Sequence, residues 1–305
     1  MIQRSDIDSA FLRGLTAMFI DYMQQQAFPD AEISPLLHVV NNSKSKEEKF
    51  AFPGDWPEMT EKTEGTGTER DPKLYNFTVT ALEYEAVLKI DRVTKEDDAF
   101  GLLKPYMQNA AGAAIRKARS LLAAKLYGGF AGTGPDGQHP IDTDHPTLSG
   151  TYSNDGAASN LSNTNVDAAL LAMSRVQSDQ DSFRGIDPDT IVVEPYNWPL
   201  AKNLFMSDMM APSTGAGAGT YPQSNIYKGL ISKIIKLPEL TATYQKNWFL
   251  FDTKKPSKAL VLVIREAPNV ESFYENRPRA YFVRPRMRIA MGWWDSAVIF
   301  GAEGA

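Results

Sequence analysis

The chain has 305 residues, with 32 Lys and Arg against 37 Asp and Glu, and it contains no cysteine. A net charge of −5 argues against a nucleic-acid reader, which carries a basic face, and the missing thiols exclude disulfides and cysteine catalysis. With 43% apolar and 23% charged residues it has the make-up of a globular protein, one large or two ordinary domains with a sizeable core.

The first residues, Met1-Ile-Gln-Arg-Ser-Asp-Ile-Asp, are acidic where a signal peptide needs an apolar run. Ala259 to Ile264 is the longest strongly apolar run and is too short to span a bilayer, so the expectation is a soluble, unsecreted protein without a membrane partner. Ser9 to Ala27 reads as an amphipathic helix with Phe11, Leu15, Met18, Phe19 and Tyr22 on one face. After Pro29 and Pro35, Leu36 to Val40 reads as a strand in which His38 is a packed or hydrogen-bonded residue.

Ser43 to Arg92 has little core-forming pattern for about 30 residues before a long alternating strand, which is the mark of a binding loop or a disordered segment, and its polar run 60–71 reads equally as a floppy surface loop. Phe50 and Trp56 within it are aromatic anchors in search of a surface. In the strand, Tyr75, Phe77 and Val79 share a face, and the phase shifts near Ala81-Leu82, predicting a bulge or bend. Thr94 to Asp97 forms a capping-box-like start to a short helical turn.

The spacing then predicts one long helix over 103–127, with Pro105 in its first turn and Gly128-Gly129 as its stop. Met107, Ala110, Ala111, Ala114, Ala118, Leu121, Leu122 and Lys125 make a narrow stripe of mostly small side chains, with Arg116, Lys117 and Arg119 largely outside it. Residues 128–160 read as loop and hairpin, followed by a helix with Val166, Ala169, Leu170, Met173 and Val176 buried. Thr190 to Glu194 reads as a buried strand and Tyr196 to Met206 as a helix, giving a compact α/β unit. Ala211 to Tyr221 is a Gly/Ala/Thr loop, and strands follow near 231–237, 248–251, 260–264, 272–274, 280–283, 286–293 and 297–300.

Two stretches bear on chemistry. Gly132-Thr-Gly134-Pro-Asp-Gly137 spells a dinucleotide fingerprint, but a helix precedes it and Pro135 interrupts it. His139, Asp142, Asp144 and His145 crowd two imidazoles and two carboxylates into seven residues, a set that could collect a divalent metal. Both histidines precede proline in a Gly/Pro/Asp-rich segment, where the same residues make turns and internal hydrogen bonds.

In order and spacing, several segments resemble one family. They are Val39-Val-Asn41, Phe52-Pro-Gly-Asp-Trp-Pro-Glu-Met59, Asp91 to Asp98, Gly101 to Pro105, Asp136-Gly-Gln138 with Asp142-x-x-His145-Pro146, and Ile191-Val-Val-Glu-Pro195. The chain over residues 36–206 resembles the major capsid proteins of tailed phages, the Hong Kong ninety-seven-like shell fold, and more narrowly the Mu-like major head subunit. The last third resembles it only in general β pattern, with Met291-Gly-Trp-Trp294 near the end.

The resemblance implies an α+β phage major capsid fold, divided into an N-terminal arm (1–42) and an extended loop (43–92). It also implies a peripheral domain (93–159 and 261–305, with spine helix 103–127) and an axial α/β domain (160–260). It implies a structural protein without enzyme activity or cofactor that self-assembles as hexamers and pentamers into an icosahedral head. That head would enclose double-stranded DNA without sequence-specific binding. The loop residues Phe50, Phe52, Trp56 and Met59 would form a subunit interface. A separate scaffolding protein, a portal and decoration proteins would be partners, and the virion capsid would assemble in the host bacterial cytoplasm. Two other readings stay open: a bacterial nanocompartment shell, and a metal-dependent enzyme using His139, Asp142, Asp144 and His145.

Overall fold

The computed structural model describes residues 4–56, 59, 61, 73–91, 100–210, 223–240, 246–275 and 280–304. The chain begins with α1 (Arg4–Gln26), β1 (Leu37–Asn41) and the hairpin strands β2 (Glu47–Pro53) and β3 (Leu74–Thr80). Next come β4 (Leu82–Glu85), β5 (Leu88–Asp91) and the long α2 (Phe100–Tyr127). Short strands β6 (His145–Pro146), β7 (Thr151–Tyr152) and β8 (Asp155–Ala158) precede α3 (Asn163–Ser174), β9 (Thr190–Val193) and α4 (Trp198–Met206). The rest is β: β10 (Met209–Met210), β11 (Gln223–Ser224), β12 (Lys233–Lys236), β13 (Trp248–Phe251), β14 (Leu260–Glu275), β15 (Ala280–Trp293) and β16 (Ile299–Glu303). The polar run 60–71 lies outside the described residues apart from Glu61, and the segments 94–97 and 211–221 lie wholly outside them.

Helix α2 is the spine. Met107, Ala111, Ala114, Ala118, Leu122 and Leu126 recur every three or four residues and are all buried, so one face of the rod lies against the sheets. It begins at Phe100, earlier than the sequence pattern placed it, and Pro105 therefore sits inside the helix. Without an N–H, Pro105 leaves the carbonyl one turn back without its helical partner. Arg119 lies off the stripe, yet it is spent on the fold: its guanidinium reaches Asp30 at 2.6 Å, Glu32 at 3.1 Å and the Lys236 carbonyl at 3.0 Å.

The longer strands form two five-stranded sheets, one in the order β1-β14-β15-β4 with β5 also on β15, the other in the order β12-β9-β13-β16-β8. The sequence pattern divided β14 and β15 into four short strands, whereas the structure has one long hairpin. Pro268 and Pro285 produced the apparent breaks. Between Ile264 and Asn269 the ladder shifts register twice, so Pro268 falls out of the pairing and costs no hydrogen bond.

Alternation along β14 sends Leu260, Leu262 and Ile264 into the main core and Val261 and Val263 to the opposite face. The β2–β3 hairpin covers that second face through Val79 and Ala81, with Phe50, Phe77 and Trp294 at its edge. Gly292 permits the close approach, because a Cβ there would overlap Val79. The anticipated phase break at Ala81 is where β3 ends and β4 begins. Phe11, Leu15 and Phe19 of α1 bury against Met107, Ala111, Ile90, Val270, Tyr281 and Val283, so α1 is seated on its own chain.

Candidate functional site

Of the four side chains suggested as metal ligands, His145 is taken up by Asp136 and Asn154, while Asp142 is met by the His139 N–H and by Asp144. His145 is fully buried, lies on the Tyr152 ring at 4.8 Å, and faces an oxygen with each nitrogen. Nδ1 is 2.6 Å from Asp136 Oδ2 and Nε2 is 3.0 Å from Asn154 Oδ1. The Asn154 amide group is fixed in turn, donating to the Pro140 and Ser296 carbonyls at 2.9 and 2.8 Å. Its Oδ1 also accepts from the Asp142 N–H at 2.8 Å.

His139 is exposed and its Nδ1 lies 2.6 Å from the Gly132 carbonyl. The Asp142 carboxylate accepts from the Thr143 and His139 N–H groups at 2.7 and 3.3 Å. Slight burial opposes its ionisation, and these backbone bonds outweigh that, holding the carboxyl below its usual range. Asp144 is exposed. Among the described residues, no three His, Asp or Glu side chains are grouped so as to hold a metal ion. The motif Asp136…His145 is instead a clasp that closes the 132–155 segment on itself and on the turn at Ser296.

The loop residues divide in two. Phe50 is half-buried on its own chain, stacked on Phe77 at 5.1 Å and edge-on to Trp294 at 5.4 Å. Phe52 pairs with Tyr75 in the β2–β3 ladder. Beyond the hairpin, Trp56 is 81% exposed and Met59 is 92% exposed. Large apolar side chains displayed this far into solvent mark a contact surface when they gather.

A second apolar surface escaped the sequence reading. Leu200 and Met206 on α4, Met209 on β10, and Ile226 and Leu230 in the turn after β11 are all exposed, Ile226 by 79%. Asn225 ties this corner together: its side-chain amide donates to the Leu204 and Ser207 carbonyls at 2.7 and 2.8 Å. The Tyr227 hydroxyl donates to Asp167 at 2.8 Å and fixes the turn to α3. The only available signal was that Met206, Met209 and Ile226 bracket polar turn residues, and periodicity does not reveal which way a turn residue faces.

The polar face of the long hairpin is charged but paired. Arg286 meets Glu266 at 2.8 Å, Glu271 at 3.2 Å and Glu83 at 3.9 Å, and Arg284 faces Glu85 at 3.7 Å. Across β4, β15 and β14 the two signs are interleaved, so among the described residues this face offers no block of unpaired positive charge to a phosphate backbone.

Over 141 residues the chain is 27% identical to the Mu-like prophage FluMu major head subunit of Haemophilus influenzae, a match covering 46% of this chain and 44% of that relative's length. The bacteriophage JBD30 capsid superposes with a TM-score of 0.59 at 18% identity, covering 72% of this chain and 94% of that one. A virus-like particle from Pyrococcus furiosus superposes with a TM-score of 0.58 at 10% identity, covering 96% and 99%. These structural likenesses establish the phage major capsid fold. The family model described as Mu-like prophage major head subunit gpT matches residues 12–164, half of the sequence, and the chain belongs to that family.

Proposed function

We propose that the chain is the building block of an icosahedral phage head, assembling with copies of itself as hexamers and pentamers around double-stranded DNA. The observation that carries this reading is the pair of separate apolar surfaces, Trp56 and Met59 on the loop and the Met209–Ile226 corner, left open on a chain with a large buried core. A shell subunit needs at least two such surfaces, because a heterologous contact made on one side must be answered on the other before a ring closes. The loop residues, Phe52 included, would meet one neighbour and the corner would meet another nearer the symmetry axis.

The net charge of −5 and the paired arginines suit a container that must hold DNA without gripping it. No described helix is long and apolar enough to cross a membrane. In this reading the chain works without chemistry of its own, in the virion capsid, and is assembled in the host bacterial cytoplasm. Scaffolding, portal and decoration proteins would be separate chains. Light scattering and negative-stain microscopy on purified chain test the proposal: closed particles of megadalton mass are expected, and a species no larger than a dimer at every concentration would overturn it.

A further inference from the structure

Where the loop leaves β2 and returns to β3, one carboxylate meets both strands. The Asp55 N–H donates to Asp179 Oδ1 at 2.9 Å, and Gly54 lies so close to Asp179 that a Cβ would overlap its carboxylate. On the returning strand, burial and then the Asp179 charge push the Tyr75 phenol up to about 12. The Asp55 carboxylate faces Arg184 at 3.6 Å, and Arg184 is itself held by Asp295 through two hydrogen bonds.

The turn that carries Asp179 is anchored without help from the loop. Ser178 N–H donates to the Ser182 carbonyl at 2.8 Å and Arg184 N–H to the Val176 carbonyl at 3.0 Å. Asp181, at φ 63°, accepts from the Leu148 and Ser149 N–H groups at 2.9 and 3.1 Å. Asp55, Tyr75, Asp136, Asp179, Arg184 and Asp295 line a cavity of about 340 Å³ between this turn and the neck of the loop.

The hairpin already has an attachment, the aromatic one at Phe50, Phe77 and Trp294. A single apolar patch of this kind fixes where the hairpin lies but leaves its tilt free. A second, polar grip at the neck fixes the tilt, and it does so just before the exposed Trp56. We propose that Asp179 is a positioning residue: it locks the neck of the loop and so sets the angle at which Trp56 and Met59 meet a neighbouring copy. This rests on the shell reading above.

The test uses the full chain, with hydrogen–deuterium exchange read on unassembled subunit at low concentration and particle yield read at high concentration. Asp179→Ala and Gly54→Ala should speed exchange about tenfold in peptides spanning 53–56 and 73–76, while peptides within 103–127 and 190–193 stay unchanged. Both variants should lose closed particles. Asp179→Asn keeps an oxygen for the Asp55 N–H, so it should recover neck protection and yield. Unchanged exchange at the neck would overturn the proposal, as would a loosened neck with normal particle yield. So would loss of protection throughout 103–127, which marks a general structural role. A wild-type chain that never assembles would sink the shell reading instead, and exchange would still report whether Asp179 holds the neck.

Discussion

Arg184 reaches across to Asp295 with both ends of its guanidinium, Nη1 to Oδ1 at 2.9 Å and Nη2 to Oδ2 at 2.7 Å, and so ties the 177–184 turn to the segment after β15. Burial works against the Asp295 carboxylate, but Arg184 outweighs it and holds the carboxyl below its ordinary range. Removing one partner strands the other, so Arg184→Ala should cost about 3 kcal/mol, the low end for a buried pair because the arginine keeps some solvent.

The pH dependence follows from the direction of that shift. A carboxyl depressed in the folded state contributes stability that is complete above its unfolded value, about pH 4, and that fades as pH falls through the folded value. Urea melts taken from neutral pH down to strongly acid conditions should therefore show a steep acid limb in the native chain. Asp295→Asn should flatten it. An unchanged limb would place the acid sensitivity elsewhere.

The histidine pair separates a clasp from a metal centre. His145→Ala removes a fully buried ring and leaves Asp136 and Asn154 facing a void, so it should destabilise by about 3 kcal/mol. His139→Ala removes one exposed contact and should stay within about 0.5 kcal/mol. Elemental analysis of the native chain should find no stoichiometric metal. One zinc, manganese or iron per chain, lost in both variants, would restore the enzyme reading.

Phe50 and Trp56 should respond in opposite ways. Truncating Phe50 opens a gap against Phe77 and Trp294 within the chain, so Phe50→Ala should lower stability by about 2 kcal/mol, less than for a full core phenylalanine. Trp56→Ala should leave the melt within about 0.5 kcal/mol and weaken assembly by about 2–4 kcal/mol per contact. Equal destabilisation of the lone subunit by both would place Trp56 in the chain's own core.

The elements with simple periods were legible in the sequence: the stripe from Met107 to Leu122, the α1 face of Phe11, Leu15 and Phe19, and the four buried residues of β9. Legibility failed where tertiary context overrides a local signal. Pro268 reads as a strand breaker unless a register shift removes it from the ladder. Phe50 and Trp56 look alike in the sequence, and only the position of Trp294, remote along the chain, separates an aromatic packed on its own chain from a displayed one. Asp136 and His145 were visible as a motif, but their pairing depended on the path of the segment between them.

The corner around Ile226 gives the most direct test of the second contact surface. Ile226 is 79% exposed in a turn held by Asn225 and Tyr227, so its side chain adds little to the lone subunit. Ile226→Asp should therefore leave the melting transition within about 0.5 kcal/mol of the native chain. In the shell the same carboxylate would enter an apolar contact, where an unpaired charge is strongly disfavoured, and the defect would recur in every subunit around an axis. Light scattering should show capsomer-sized or smaller species in place of closed particles, while circular dichroism stays native. Met209→Asp, on the strand beside it, should behave alike because it displays its side chain at the same corner. Normal particles from both variants would show that this corner faces solvent in the shell and that the contact near the axis lies elsewhere on the chain.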